Sequence, residues 1–284
     1  MIECLKSEIP LTYLCRHFGL SRSGFYAWLN RPLNLTTKKS ICDQIISIFK
    51  ASKSTYGSPR VYKELLGLGF KVSENTVAKY MKELGLDARL KKRFRVMTTN
   101  SNHTRPIAER VFKAEEDLPI KPFEILAGDI TYLRLGSNFL YLAVVIDLFN
   151  REIVGWSMSH SLHTNLVVDA MKMALTKCHS GTKFIFHSNR GSQYASEVYR
   201  ELLESKNLIP SMSRKGNCYD NAYVESWFKS LKSEWIYRHI YSTESELRAL
   251  VFEYIETWYN TKRRHSSLDY LSPKDYKLAK RPTP

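Results

Sequence analysis

The chain has 284 residues, 43% of them hydrophobic and 25% charged, which suits a globular protein with one substantial domain and one or two small ones and excludes a disordered or fibrous chain. No run approaches the roughly 20 apolar residues of a membrane span, and no basic stretch leads into an apolar core at the N-terminus, so no membrane association and a cytoplasmic location are expected. The net charge of +15 divides into +12 over residues 1–105, −2 over 106–261 and +5 over 262–284, so basic ends flank a near-neutral centre, an arrangement suited to gripping nucleic acid.

Residues 1–31 predict short helices. Leu11, Leu14, Cys15 and Phe18 make an apolar set, Gly19 turns the chain, and Ser21 is the expected N-cap of a helix over Arg22–Leu29. This is helix-turn-helix grammar, with Arg22 on the element that would lie against a groove. A second helical module is expected over 39–86. Ile41, Ile45, Ile46 and Phe49 mark its first stripe; Val61, Leu65 and Leu66 begin another after the breaker at Gly57 and Pro59. Ser73 to Leu84 gives a third, with Val77, Tyr80, Met81 and Leu84 inward and Lys79 and Lys82 outward. Over 87–120 the periodicity fades while Lys91, Lys92, Arg93, Arg95 and Arg105 accumulate, predicting a basic linker that orders on DNA.

From Phe123 the pattern changes to strands, over Glu124–Leu135, Phe139–Phe149 and Ile153–Ser159. Their short links require an antiparallel meander, because a parallel return needs a crossover. A helix over His163–Cys178, a strand over Lys183–His187, a helix over Gln193–Ser205, a strand over Leu208–Met212 and a helix over Asn221–Glu234 follow. That order fits an α/β, ribonuclease H-like domain over 121–240, a mixed five-stranded sheet with helices against it. Residues 241–284 read as a helix with an apolar face (Leu247, Val251, Tyr254, Ile255, Trp258) and a basic tail carrying Lys262, Arg263 and Arg264. The five cysteines are scattered, odd in number and without a C-x-x-C pair, so neither a disulfide framework nor structural zinc is expected.

Asp129 lies mid-strand between apolar neighbours, where a carboxylate is costly unless paired or bound to metal. Asn189 follows the fourth strand beside Arg190 and Gly191. Glu225 lies on the last helix in step with Asn221 and Asn217, and Lys229 and Lys232 continue near that face, offering cations to a phosphate backbone. Gly128-Asp129-Ile130-Thr131-Tyr132, then His187 to Tyr194, then Asn217 to Lys232, with 35 residues between Asn189 and Glu225, resemble the three acidic motifs of insertion-sequence three type transposases. The catalytic domain of that family is similar to retroviral integrase. Tyr259, Asn260, Arg264, His265, Leu268, Ser272 and Pro273 resemble its C-terminal signature.

The resemblance implies a catalytic and metal-binding trio of Asp129, residue 189 and Glu225. It further implies two Mg2+ ions, with Mn2+ as a substitute, and cutting and joining of double-stranded DNA at terminal repeats and target without a covalent protein–DNA intermediate. A homo-oligomer on DNA and an upstream reading-frame partner belong to the same expectation. This chain departs from the pattern at one corner, where the family has Asp and it has Asn189. An amide oxygen can ligate but brings no charge, so impaired catalysis is expected, whether the change is engineered or a mark of decay. An RNA-cleaving ribonuclease H-like enzyme would leave the basic ends unexplained. A non-catalytic DNA-binding or regulatory protein would tolerate Asn189.

Overall fold

The computed structural model describes residues 10–29, 37–88, 104–113, 116–178, 183–214 and 221–280. They fall into two compact units divided near residue 89. The first is helical: α1 Leu11–His17, α2 Arg22–Leu29, α3 Lys38–Ala51, α4 Ser58–Gly67 and α5 Glu74–Glu83. Its local chemistry follows the sequence. Ser21 Oγ accepts from Gly24 N at 2.9 Å at the start of α2, Thr37 and Ser73 cap α3 and α5 in the same way, and Gly19 takes a left-handed φ of 64° between α1 and α2. Ile41, Ile45, Phe49, Val61, Leu65, Val77 and Met81 are buried as expected. Ile48 replaces Ile46 in the α3 core, and Leu66 is exposed. The expected stripes therefore hold, with Ile48 added to the buried face of α3 and Leu66 at the outer edge of that of α4.

The second unit is built on β1 Ile125–Leu135, β2 Asn138–Asp147, β3 Ile153–Ser159, β4 Ile185–Ser188 and β5 Ile209–Met212, in the order β3-β2-β1-β4-β5. The first three strands are antiparallel and β4 and β5 run parallel to β1, the mixed five-stranded sheet anticipated from strand spacing. Alternation sorts the side chains. Ile125, Ala127, Leu133, Leu142, Val144 and Ile146 face one layer, with α8 (Ala222–Glu234) and α9 (Glu244–Phe252). Leu126, Ala143 and Val145 face the other, with α6 (Thr164–Thr176) and α7 (Glu197–Ser205). Asp129 has the parity of Ile125 and Ala127, which places it on the α8 side.

A register shift between Val145 and Ile146 turns Val154 and Gly155 both toward α6. Gly155 is needed there, since a Cβ would lie 2.1 Å from the Ala170 carbonyl oxygen. Beyond α9 the helix continues as a π-helix over Glu253–Tyr259, then the chain ends in α10, Pro273–Ala279. Leu247, Val251, Tyr254 and Ile255 are buried in the same core as Trp227 and Leu231, so the apolar face read from the sequence packs against α8. The far end of the expected linker is also part of this unit. Phe112 is buried, and the N–H groups of Val111 and Phe112 donate to Ser211 Oγ on β5 at 3.1 and 2.9 Å.

Edge strand β3 is met by side chains. Ile153 N donates to Asn260 Oδ1 at 2.9 Å and Ile153 O accepts from Asn260 Nδ2 at 3.0 Å. Trp156 N meets Met173 Sδ at 3.4 Å, and Met158 O accepts from Arg248 at 3.1 Å. No helix among the described residues is long and apolar enough to cross a membrane.

Candidate active site

Asp129 pairs across β1 and β2 with Val144, and its neighbour Gly128 pairs with Ser188 at the end of β4. Strand β4 therefore delivers Asn189 beside Asp129 directly at its end, one residue closer to the strand than the sequence pattern suggests. Gly128 permits the close sheet here: a Cβ would lie 2.6 Å from the Phe186 ring. Asn189 Nδ2 donates to Asp129 Oδ1 at 2.6 Å, and Asn189 Oδ1 accepts from Gly191 N at 2.8 Å. Only this orientation of the amide sets a donor against an acceptor at both ends.

Ile130 N also donates to Asp129 Oδ1, at 2.8 Å. Burial nevertheless pushes the Asp129 carboxyl up to about 7; the Ile130 N–H pulls the other way and the negative charge of Glu225 pushes further up. That repulsion puts the Glu225 carboxylate within electrostatic reach of Asp129. Asn221, buried at the start of α8, donates from Nδ2 to Gly128 O at 3.4 Å, tying the helix that carries Glu225 to the strand that carries Asp129. Its motif position could be read from the sequence, but its role as this tie could not.

The trio as it stands does not fit a two-ion centre. Only two carboxyl groups remain, that of Asp129 with its pKa raised, the third corner turns its N–H2 toward Asp129, and its oxygen is engaged by a backbone N–H. Among the described residues no group of three His, Cys, Asp or Glu side chains converges to hold a metal. What the geometry provides instead is a neutral hydrogen-bond partner for a half-buried carboxyl group.

An integrase core domain is matched over residues 119–218, a second integrase core segment over 207–273, and an HTH-like domain over 38–94. The transposase InsF of insertion sequence IS3A from Escherichia coli K12 is 40% identical over 97% of this chain and 96% of its own length. The chain belongs to the IS3 transposase family. An uncharacterized 31 kDa protein of insertion element IS600 from Shigella sonnei is 37% identical over 92% of this chain and 96% of its own. The fold is shared with a chain in a cryo-electron microscopy structure of a simian T-cell lymphotropic virus intasome bound to the PP2A regulatory subunit B56 gamma, at TM-score 0.50 and 13% identity. That likeness covers 84% of this chain and 76% of that one.

Within this IS3-family chain the basic residues expected to meet DNA divide into classes. Arg22, Lys79, Lys82, Lys229 and Lys262 are exposed. Lys232 lies with its Nζ 4.3 Å from the centroid of the Tyr132 ring, and burial lowers its pKa to about 8. Arg190 donates from Nε to Ser213 O at 2.7 Å, and Arg264 from NH1 to Tyr270 O at 3.0 Å. Lys91, Lys92, Arg93 and Arg95 lie outside the described residues.

Arg263 corrects the expectation. It is 4% exposed and grips Glu234 with two bonds of 2.6 Å, so its charge is committed to the core and not presented to a ligand. In sequence it looks like its neighbours, because a run of basic residues does not reveal which one turns inward.

Proposed function

We propose that this chain is an insertion-sequence transposase that engages double-stranded DNA at terminal repeats and target, and whose centre for metal-dependent cleavage and strand transfer is silenced at position 189. The observation that carries this reading is the 2.6 Å bond from Asn189 Nδ2 to Asp129 Oδ1. It places an amide donor where divalent-metal chemistry needs a third anionic ligand. The domain order supports the rest, a helical HTH-like unit joined to an integrase core. Homo-oligomeric assembly on DNA and an upstream reading-frame partner belong to the same proposal.

Restoring the charge tests it. With cognate ends, Mg2+ or Mn2+, and any upstream protein supplied, Asn189→Asp should process and join ends while the unaltered chain does not. Equal inactivity of the two would overturn the reading. Because Asn189 satisfies Asp129 without a cation, a second reading is favoured by the same bond: a DNA-binding regulator descended from a transposase, for which element-end binding persists and Asn189→Asp adds no joining.

A further inference from the structure

On the face of α8 turned away from Glu225 lies a cavity of about 220 Å³, lined in part by Arg151, Tyr223, Ser226, Trp227, Ser230 and His265. Arg151 sits in the β2–β3 turn with a left-handed φ of 61°, a conformation in which an arginine is uncommon. Its guanidinium carbon is 3.9 Å from the centroid of the Tyr223 ring, yet Nε and NH1 are buried and make no hydrogen bond among the described residues. The neighbouring carboxylate does not neutralise it. Glu152 is held by Lys277 at 2.9 Å and by Asn150 Nδ2 at 3.1 Å.

Trp227, 2% exposed and lining the same cavity, likewise has a buried Nε1 without a partner. No carboxylate is among the lining residues, five of which, Ala222, Tyr223, Ser226, Trp227 and Ser230, lie along one flank of α8. Buried donors left without acceptors are costly, and here the Arg151 cation and the side chains of Trp227, Ser226, Ser230 and Ser267 line one space, Ser230 Oγ also accepting from Arg263 at 3.4 Å. Its volume lies below the range of about 300–1,000 Å³ typical of drug-sized sites, so the fitting ligand is small, anionic and rich in acceptors.

We propose that this cavity binds a phosphate oxyanion, with Arg151 as its principal ligand and Trp227, Ser226 and Ser230 completing the donor set. The oxyanion is either a backbone phosphate of DNA or free phosphate. The DNA source rests on the function proposed above; phosphate binding itself does not.

The test uses the full chain and Arg151→Asn, because asparagine accepts a left-handed backbone, with Arg151→Lys as a second variant that retains charge without the guanidinium fork. Thermal unfolding is followed with inorganic phosphate titrated against chloride at constant ionic strength. The unaltered chain should show a saturable rise in Tm specific to phosphate; Arg151→Asn should lose it and Arg151→Lys should need more phosphate to reach it. For DNA, the slope of log affinity against log salt should fall by about 1 in Arg151→Asn if a backbone phosphate occupies the site. An unchanged slope with phosphate binding intact assigns the site to free phosphate. A chain that binds phosphate but no DNA leaves the site standing while the functional reading fails. No phosphate-specific rise in the unaltered chain, or an equal rise in Arg151→Asn, overturns the proposal.

Discussion

At the scale of single residues, Asn189 gives Asp129 a hydrogen-bond partner that needs no cation. A carboxylate at 189 would stand 2.6 Å from Asp129 Oδ1 where the amide nitrogen now does, and two carboxylates that close cannot both ionise without a cation. In chelator at neutral pH, Asn189→Asp should therefore lose about 1–3 kcal/mol of unfolding free energy, and Mg2+ should return most of it. The unaltered protein should be indifferent to Mg2+ in the same melts, and a magnesium-dependent Tm in it would contradict this account. Asp147 provides a second single-residue test. It is fully buried and accepts from Phe123 N at 3.0 Å and Phe149 N at 2.9 Å, and burial raises its pKa to about 6. A carboxyl raised on folding holds its proton more tightly in the native state. Its contribution to stability is complete below about pH 4, declines as pH rises to 6 and is level above that. Asp129, raised to about 7, titrates across the same window, so urea titrations should show a slope in the unaltered chain that Asp147→Asn reduces by about 2–3 kcal/mol without abolishing it. Superimposable pH profiles would rule the assignment out.

At the scale of elements, the basic segment after the π-helix combines two roles. Arg263→Ala would leave Glu234 buried without its cation and should destabilise the protein by about 3–5 kcal/mol. Lys262→Ala changes an exposed side chain and should leave the unfolding free energy within about 0.5 kcal/mol of the unaltered chain's while weakening DNA binding. Denaturant unfolding alongside DNA anisotropy separates the two, and equal effects of both substitutions on stability would show that the burial of Arg263 carries no weight. The strands were legible because alternation and the Gly136 and Asn150 turns leave one pairing for three short-linked strands. Asp129 and Glu225 stand out in the sequence because one lies mid-strand and the other on a helix at motif spacing. Burial of Phe112 was not, since its segment has no periodicity and is held by hydrogen bonds to Ser211, nearly a hundred residues away. Nor was the cavity behind α8, because Arg151 and Trp227 meet only once the β2–β3 turn folds against that helix.

At the scale of the whole molecule, the two units near residue 89 have their own cores, the first around Ile45, Val61, Leu65 and Val77 and the second in two layers about the sheet. Fragments 1–89 and 104–284 should each melt cooperatively. Element-end affinity of the full chain should fall steeply with salt, and residues 104–284 alone should retain a shallower dependence. Salt-independent binding, or a 104–284 fragment without a cooperative transition, would refute this division. The dressing of β3 matters once many copies gather on one piece of DNA. An open strand edge is a template for a neighbour's backbone, and crowding on a polymer raises the local concentration at which such fusion begins. With Asn260, Met173 and Arg248 meeting Ile153 N, Ile153 O, Trp156 N and Met158 O, less of that edge is left for a neighbouring copy's backbone to pair with.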